Sequence, residues 1–185
     1  MRVISGSARG IPLQVPSGVE VRPTSDRVRE ALFSMVAERI PAARCLDLFA
    51  GSGALGIEAL SRGAESCLFV DKEGVCCDVI RSNLRKSGLV GGEVMAVEVM
   101  DFIESNRGKF DLIFADPPYK KQGKVDLAAM VVGSEGFPCL MAEGAILVLE
   151  SRKSQDEYPG SDRLERLQSR DYGETRLVFF RRVNS

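Results

Sequence analysis

Histidine is absent from this chain of 185 residues, which removes the commonest general base and the commonest zinc ligand. Hydrolase triads built on histidine are excluded, so any chemistry must come from positioning or from a cofactor. No apolar run approaches the roughly 20 residues needed to span a bilayer. The opening Met1-Arg2-Val3-Ile4-Ser5-Gly6 lacks the layout of a secretory signal, so a cytoplasmic location is expected. The five cysteines (Cys45, Cys67, Cys76, Cys77 and Cys139) are odd in number and follow no metal-ligand spacing. They read as buried free thiols, and no bound metal is expected. Internal repeats and low-complexity segments are also missing. What remains is 44% apolar and 28% charged, the make-up of one soluble domain large enough to bury a real core.

The formal net charge of −1 hides an uneven distribution. Residues 1–44 carry seven arginines against four acids, residues 45–150 carry ten basic residues against sixteen acids, and residues 151–185 carry eight against six. Positive charge therefore gathers at the two ends around an acidic middle. Every basic residue of the first segment is arginine, the side chain that forks onto phosphates and stacks on bases.

Residues 2–4 and 11–15 are short apolar runs separated by a basic, glycine-containing turn, the pattern of a β-hairpin. A helix is expected from about Arg27, capped by Thr24, Ser25 or Asp26, with Val28, Leu32, Met35 and Val36 on one face. From residue 44 the pattern alternates strand and helix. Strands are expected at 45–49, 67–70, 93–99 and 110–115, the second ending at Asp71 and the third at Asp101. A helix over 124–134 leads to a fifth strand at 145–149. Such alternation implies a parallel sheet covered by helices on both faces. The tail, with runs at 163–170 and 175–183 joined through Tyr172-Gly173, reads as an antiparallel hairpin that finishes the sheet with a reversed strand.

Asp116-Pro117-Pro118-Tyr119 stands at the end of the fourth strand, where open α/β sheets bind ligands. Proline fixes the backbone there, and an acid, a rigid carbonyl and an aromatic ring fall within four residues. That set suits a flat group bearing an NH2: oxygens accept its hydrogens while the ring stacks on its face.

Gly51-Ser52-Gly53-Ala54-Leu55-Gly56 follows the first strand and opens a helix, a pattern that by itself fits a dinucleotide site equally well. The acids around it separate the readings. Asp47, inside the first strand, would repel a pyrophosphate but could receive a cationic amino group. Asp71 suits ribose hydroxyls, and Asp101 suits an adenine amino group. Together they describe a pocket for ribose, adenine and a charged amino acid without phosphates, which is S-adenosylmethionine. Its sulfonium carbon is already electrophilic, so alignment of an acceptor suffices.

With these residues in hand, the chain resembles the class I methyltransferases, and within them the bacterial 16S rRNA guanine-N2 methyltransferases of the RsmD type. The segments that carry the likeness are Arg2-Val3-Ile4-Ser5-Gly6, Arg22-Pro23-Thr24-Ser25-Asp26-Arg27-Val28-Arg29-Glu30, the run from Leu46 to Gly56, Phe114-Ala115-Asp116-Pro117-Pro118-Tyr119 and Tyr172-Gly173-Glu174-Thr175. The likeness spans nearly the whole chain. It implies an α/β, Rossmann-like, seven-stranded mostly parallel sheet with an antiparallel last strand, plus the N-terminal β-hairpin and helix. Residues 1–43 would form an extension that contacts RNA and residues 44–185 the methyltransferase domain, in one compact unit.

The resemblance implies S-adenosylmethionine held by Asp47, Gly51, Gly53, Asp71 and Asp101, flanked by Phe49, Ala50, Ser52, Lys72 and Phe102. Asp116, Pro117, Pro118 and Tyr119 would hold the guanine and carry the transfer, with Tyr119 standing where some members have Phe. Arg9, Arg22, Thr24, Arg27, Arg29 and Thr175 are the candidate substrate contacts, Arg22 and Thr24 by closing over the pocket. The expected partner is 16S rRNA, free or in a protein-bound small-subunit particle, and the expected state is a monomer. Three alternatives carry other predictions: an adenine-N6 methyltransferase, a nicotinamide oxidoreductase and a non-enzymatic RNA-binding module.

Overall fold

The computed structural model describes residues 1–18, 24–105, 108–118, 125–154 and 158–183. Its centre is a seven-stranded sheet of β1 (Arg44–Leu48), β2 (Ser66–Asp71), β3 (Gly92–Ala96), β4 (Phe110–Ala115), β5 (Met141–Arg152), β6 (Leu164–Tyr172) and β7 (Thr175–Arg182). The spatial order is β3-β2-β1-β4-β5-β7-β6. Strands β1 to β5 pair in parallel, while β7 runs antiparallel to both β5 and β6. The reversed strand is therefore inserted between β5 and β6, and β6, rather than β7, forms the sheet edge. Order reverses between β1 and β4, so the crevice of an open α/β sheet falls at their carboxyl ends.

Successive side chains of a strand face opposite sides, and both sides of this sheet are apolar. One side packs Cys45, Leu112, Phe114, Ile146 and Val148 beneath α1 (Asp26–Met35), α2 (Ala54–Ser61) and α3 (Gly74–Ser87). The other packs Leu46, Leu48, Ile113, Leu147 and Leu149 against α4 (Val99–Ser105), α5 (Leu127–Gly133) and α6 (Phe137–Leu140). Helix α1 starts where expected, with Ser25 Oγ accepting from the Val28 N–H at 3.3 Å. Its Phe33 ring lies 5.5 Å from that of Phe114, and the Arg62 guanidinium sits 4.9 Å from the Phe33 centroid. Each such ring contact is worth about 0.5–1.5 kcal/mol beyond area burial.

The N-terminal hairpin forms one antiparallel bridge, between Arg2 and Pro12, and owes its place to α2. The fully buried Glu58 accepts from the backbone N–H groups of Ile4 at 2.7 Å and Ser5 at 2.9 Å. Ser61 Oγ donates to Ser5 O at 2.6 Å and accepts from the Ala8 N–H at 2.9 Å. Gly6 makes this approach possible: its φ is +84°, and a Cβ there would lie 1.8 Å from the Ser61 carbonyl oxygen.

Two strands differ from expectation in ways that bear on the site. Strand β3 stops at Ala96, not at Asp101, because the Val97 N–H turns back to Asp71 O at 3.1 Å and α4 begins at Val99. Strand β5 runs from Met141 to Arg152, beyond the expected 145–149 at both ends, and β7 pairs with it from Ile146 to Arg152, which draws Glu150 into the sheet. All five cysteines are free thiols, four of them buried, and burial pushes Cys45 and Cys76 up to about 12. No helix among the described residues is long and apolar enough to cross a membrane.

Candidate active site

Past β1 the chain makes a tight, left-handed turn: φ is +58° at Phe49, +55° at Gly51 and +75° at Gly53. A positive φ at a phenylalanine is costly and persists only where its surroundings hold it. Here the Ala50 N–H bonds to Val70 O at 3.2 Å and the Gly53 N–H to Ala50 O at 2.7 Å. Asp71, at the tip of β2 and 8% exposed, accepts from the Gly51 N–H at 2.8 Å through one oxygen and from the Glu73 N–H at 2.9 Å through the other. The acid thus braces the glycine turn against the neighbouring strand.

Asp47 is 2% exposed and accepts from the Gly56 N–H at 2.9 Å. Burial pushes its carboxyl up to about 8, the Asp71 charge adds to the shift, and the Gly56 N–H opposes it. Gly56 lets α2 close on β2, since a Cβ there would lie 2.3 Å from the Phe69 ring and 2.5 Å from Cys67 Sγ.

At the tip of β4 the Asp116 N–H reaches Leu48 O at 3.4 Å, so the Asp-Pro-Pro motif adjoins the glycine turn on one sheet edge. Asp116 is half-buried, Pro117 buried and Pro118 exposed. Thr24 Oγ1 lies 3.4 Å from Asp116 Oδ2 and 2.9 Å from Glu150 Oε2. Thr24, directly before the α1 cap, therefore stands against the carboxyl ends of β4 and β5. Tyr119 and Arg22 lie outside the described residues. Thr175 is buried opposite Arg152 at the far tip of the β5–β7 pair, on the same edge.

Three of the expected contact residues sit in settings other than those expected. Asp101 is exposed in the first turn of α4 instead of at a strand end. Phe102 belongs to the apolar stripe of that helix with Val99 and Ile103, and at 1% exposure it is core. Arg29 is fully buried on the face of α1 that carries Val28, Leu32 and Phe33. Its Nη2 donates to Arg2 O at 2.6 Å and to Asp26 Oδ1 at 2.8 Å, so it fastens the hairpin to α1 and meets no surface ligand. In both helices the 3.6-residue period, not charge or strand register, decided the side chain's direction.

Arg9 and Arg27 are exposed and line a groove of about 580 Å³ between the hairpin turn and α1, with Arg2, Arg62, Asp26 and Glu30. Lys72 is exposed and pairs with Glu98 at 3.4 Å.

Sequence reasoning missed three residues at this edge. Glu150 lay one residue beyond the strand expected at 145–149. Glu98, directly before α4, is the acid that stands near the end of β3. Asn83, fully buried in α3, accepts from the Gln14 N–H at 2.8 Å and donates to Gln14 O and Ser52 O, each at 3.0 Å. Only a polar residue on the buried stripe of a helix signals such a role.

The chain is 39% identical to YlbH of Bacillus subtilis over 157 residues, covering 83% of this chain and 84% of that one. It is 35% identical to ribosomal RNA small subunit methyltransferase D of Escherichia coli (strain K12) over 151 residues, 82% of this chain and 74% of the relative. The solved structure of yhhF from Escherichia coli superposes with a TM-score of 0.82 at 31% identity, covering 98% of this chain and 97% of that one. A family model described as conserved hypothetical protein 95 matches residues 1–181. A match over nearly the whole length, joined to a relative above 30% identity, makes the chain a member of that family, the RsmD family.

Proposed function

We propose that the protein transfers a methyl group from S-adenosylmethionine to the exocyclic N2 of a guanine in small-subunit rRNA. The observation that carries this reading is the 3.4 Å bond from the Asp116 N–H to Leu48 O, which sets the amine-binding motif beside the glycine turn. The relative named ribosomal RNA small subunit methyltransferase D supports the same substrate class.

The donor set fits the cofactor. Asp47, whose carboxyl is raised to about 8 by burial, is relieved by the cationic amino group of a methionine moiety. Asp71, held by the Gly51 and Glu73 N–H groups, has further lone pairs for ribose hydroxyls. Glu98 and Asp101, both just past the end of β3, are the candidate acids for an adenine amino group. Bound there, the cofactor supplies an electrophilic methyl carbon.

The protein's own contribution is alignment. The guanine N2 lone pair is delocalised into the ring. Asp116 and the Pro117 carbonyl accept its two hydrogens, which favours a pyramidal nitrogen with its lone pair directed at the methyl carbon. Transfer would break the donor's S–CH3 bond, its electron pair staying on sulfur, and N2 would shed one proton toward Asp116, the carboxylate at the β4 tip. Groups preorganised in this way contribute about 2.7–4 kcal/mol each in comparable sites, and a ring stacked on the base adds about 1–3 kcal/mol. The base must leave its stack to enter, and the groove bearing Arg9 and Arg27 is suited to the flanking phosphates.

Incubating small-subunit rRNA with the protein and labelled cofactor, then digesting to nucleosides, tests the reading. N2-methylguanosine is the expected product. N6-methyladenosine, or no methylated nucleoside from either naked rRNA or the small-subunit particle, would contradict it.

A further inference from the structure

We propose that Glu150 is a specificity-determining residue that accepts the N1–H of the target guanine and so selects guanine over other aminopurines. The inference rests on the guanine-N2 reading above and extends it to a residue on a different strand.

Three facts lead to it. Ala115 of β4 pairs with Leu149 of β5, so Asp116 and Glu150 follow in register at adjacent strand tips. Both continue the side of the sheet that carries Phe114 and Val148. One hydroxyl, Thr24 Oγ1, stands 2.9 Å from Glu150 Oε2 and 3.4 Å from Asp116 Oδ2. The two carboxylates therefore converge on a single point where a donor sits. Glu150 is 5% exposed, and its Oε2 already faces a donor, as an acceptor does.

The chemistry of the base does the rest. Guanine carries N1–H and N2–H2 side by side on one edge. With N2 held at Asp116 and the methyl donor on the β1 side, the purine extends toward β5. The acceptor that β5 offers is Glu150, which suits N1–H. A base whose N1 is a bare acceptor places a lone pair against the carboxylate instead. Sites that bond a substrate N–H reject analogues lacking it far more strongly than apolar pockets reject a missing methylene.

The test uses rRNA substrates that differ only at the methylated position. One carries guanine, one 2-aminopurine, which keeps the 2-amino group but has a bare N1, and one 1-methylguanine. The wild type should favour guanine over both analogues by about 100-fold or more in kcat/KM. Glu150→Gln, which can present a donor or an acceptor, should lower the guanine to 2-aminopurine ratio at least tenfold. Thr24→Val should slow both substrates alike and leave the ratio in place. A ratio unmoved by Glu150→Gln, or moved equally by Thr24→Val, overturns the assignment. If Glu150→Gln fails to fold, the wild type decides alone: methylation of either analogue as fast as guanine overturns it. Failure of the underlying reading looks different, because the wild type would then leave no N2-methylguanosine on the guanine substrate.

Discussion

The Asn83 carboxamide donates to Ser52 O at 3.0 Å while its oxygen accepts from the Gln14 N–H at 2.8 Å. One buried side chain thus joins the glycine turn to the N-terminal extension at Gln14. Asn83→Leu keeps the volume and strands the Gln14 and Ser52 backbone groups. Each unmet buried group costs about 1–3 kcal/mol. The expected result is a lower melting temperature together with weaker cofactor binding in calorimetry. Unchanged cofactor affinity would reduce Asn83 to a purely structural tie.

Gly6 and Gly10 form a matched pair, with φ of +84° and +85°. A Cβ on Gly6 would lie 1.8 Å from Ser61 O, whereas one on Gly10 meets nothing within 4 Å. Both Ala variants carry the same left-handed strain of about 1–2 kcal/mol, but Gly6→Ala must also lift the hairpin off α2. Denaturant melts should show Gly6→Ala destabilised beyond Gly10→Ala by about 1–3 kcal/mol. Equal losses would mean that the Ser61 contact gives way without cost.

Asp47 makes stability and cofactor binding depend on pH in opposite directions. Its native pKa of about 8 lies above the ordinary 3.8, so the folded protein holds the proton more tightly than the unfolded chain. The resulting stability is complete near pH 4 and is lost progressively as pH rises to about 8. Asp47→Asn should therefore raise the melting temperature of the cofactor-free protein more at pH 8 than at pH 5. A cationic amino group favours the ionised acid, so cofactor affinity should rise by up to about tenfold per pH unit below 8, with proton release measurable by calorimetry in buffers of different ionisation enthalpy. That part of the pH dependence should vanish in Asp47→Asn, and its survival would separate Asp47 from the cofactor.

Arginines of one short segment should behave in two ways. Arg9→Ala with Arg27→Ala should weaken rRNA binding and flatten its salt dependence by about 0.7–0.9 in log–log slope per lost phosphate contact. Arg29→Met should leave that slope unchanged and lower the melting temperature, because it unties Arg2 O and Asp26. A shallower slope in Arg29→Met would place it at the RNA after all.

Much of the fold was legible because long-range order leaves local marks here. Alternating apolar runs and glycine turns marked β1, β2, β4 and the terminal hairpin, and acids at strand ends located the crevice edge. What escaped notice depended on where elements stop. The run from Glu93 to Val99 continues smoothly in sequence, yet the bond from Val97 to Asp71 O ends the strand early and puts Asp101 in the first turn of α4. Glu150 looked like the residue after a strand, because nothing local shows that β7 holds β5 through Arg152. Arg29 looked like surface charge, since a helix face buried against a distant hairpin leaves no trace in composition.

Nucleoside mass spectrometry of small-subunit rRNA treated with wild type and Asp116→Ala, paired with cofactor titration of each, separates transfer at the β4 tip from cofactor binding. Expected are N2-methylguanosine from the wild type, at least a hundredfold less from Asp116→Ala (about 2.7 kcal/mol of lost transition-state stabilisation), and nearly equal cofactor affinities. Full methylation by Asp116→Ala, or a loss of cofactor binding as large as the loss of transfer, would contradict the role of Asp116 in transfer.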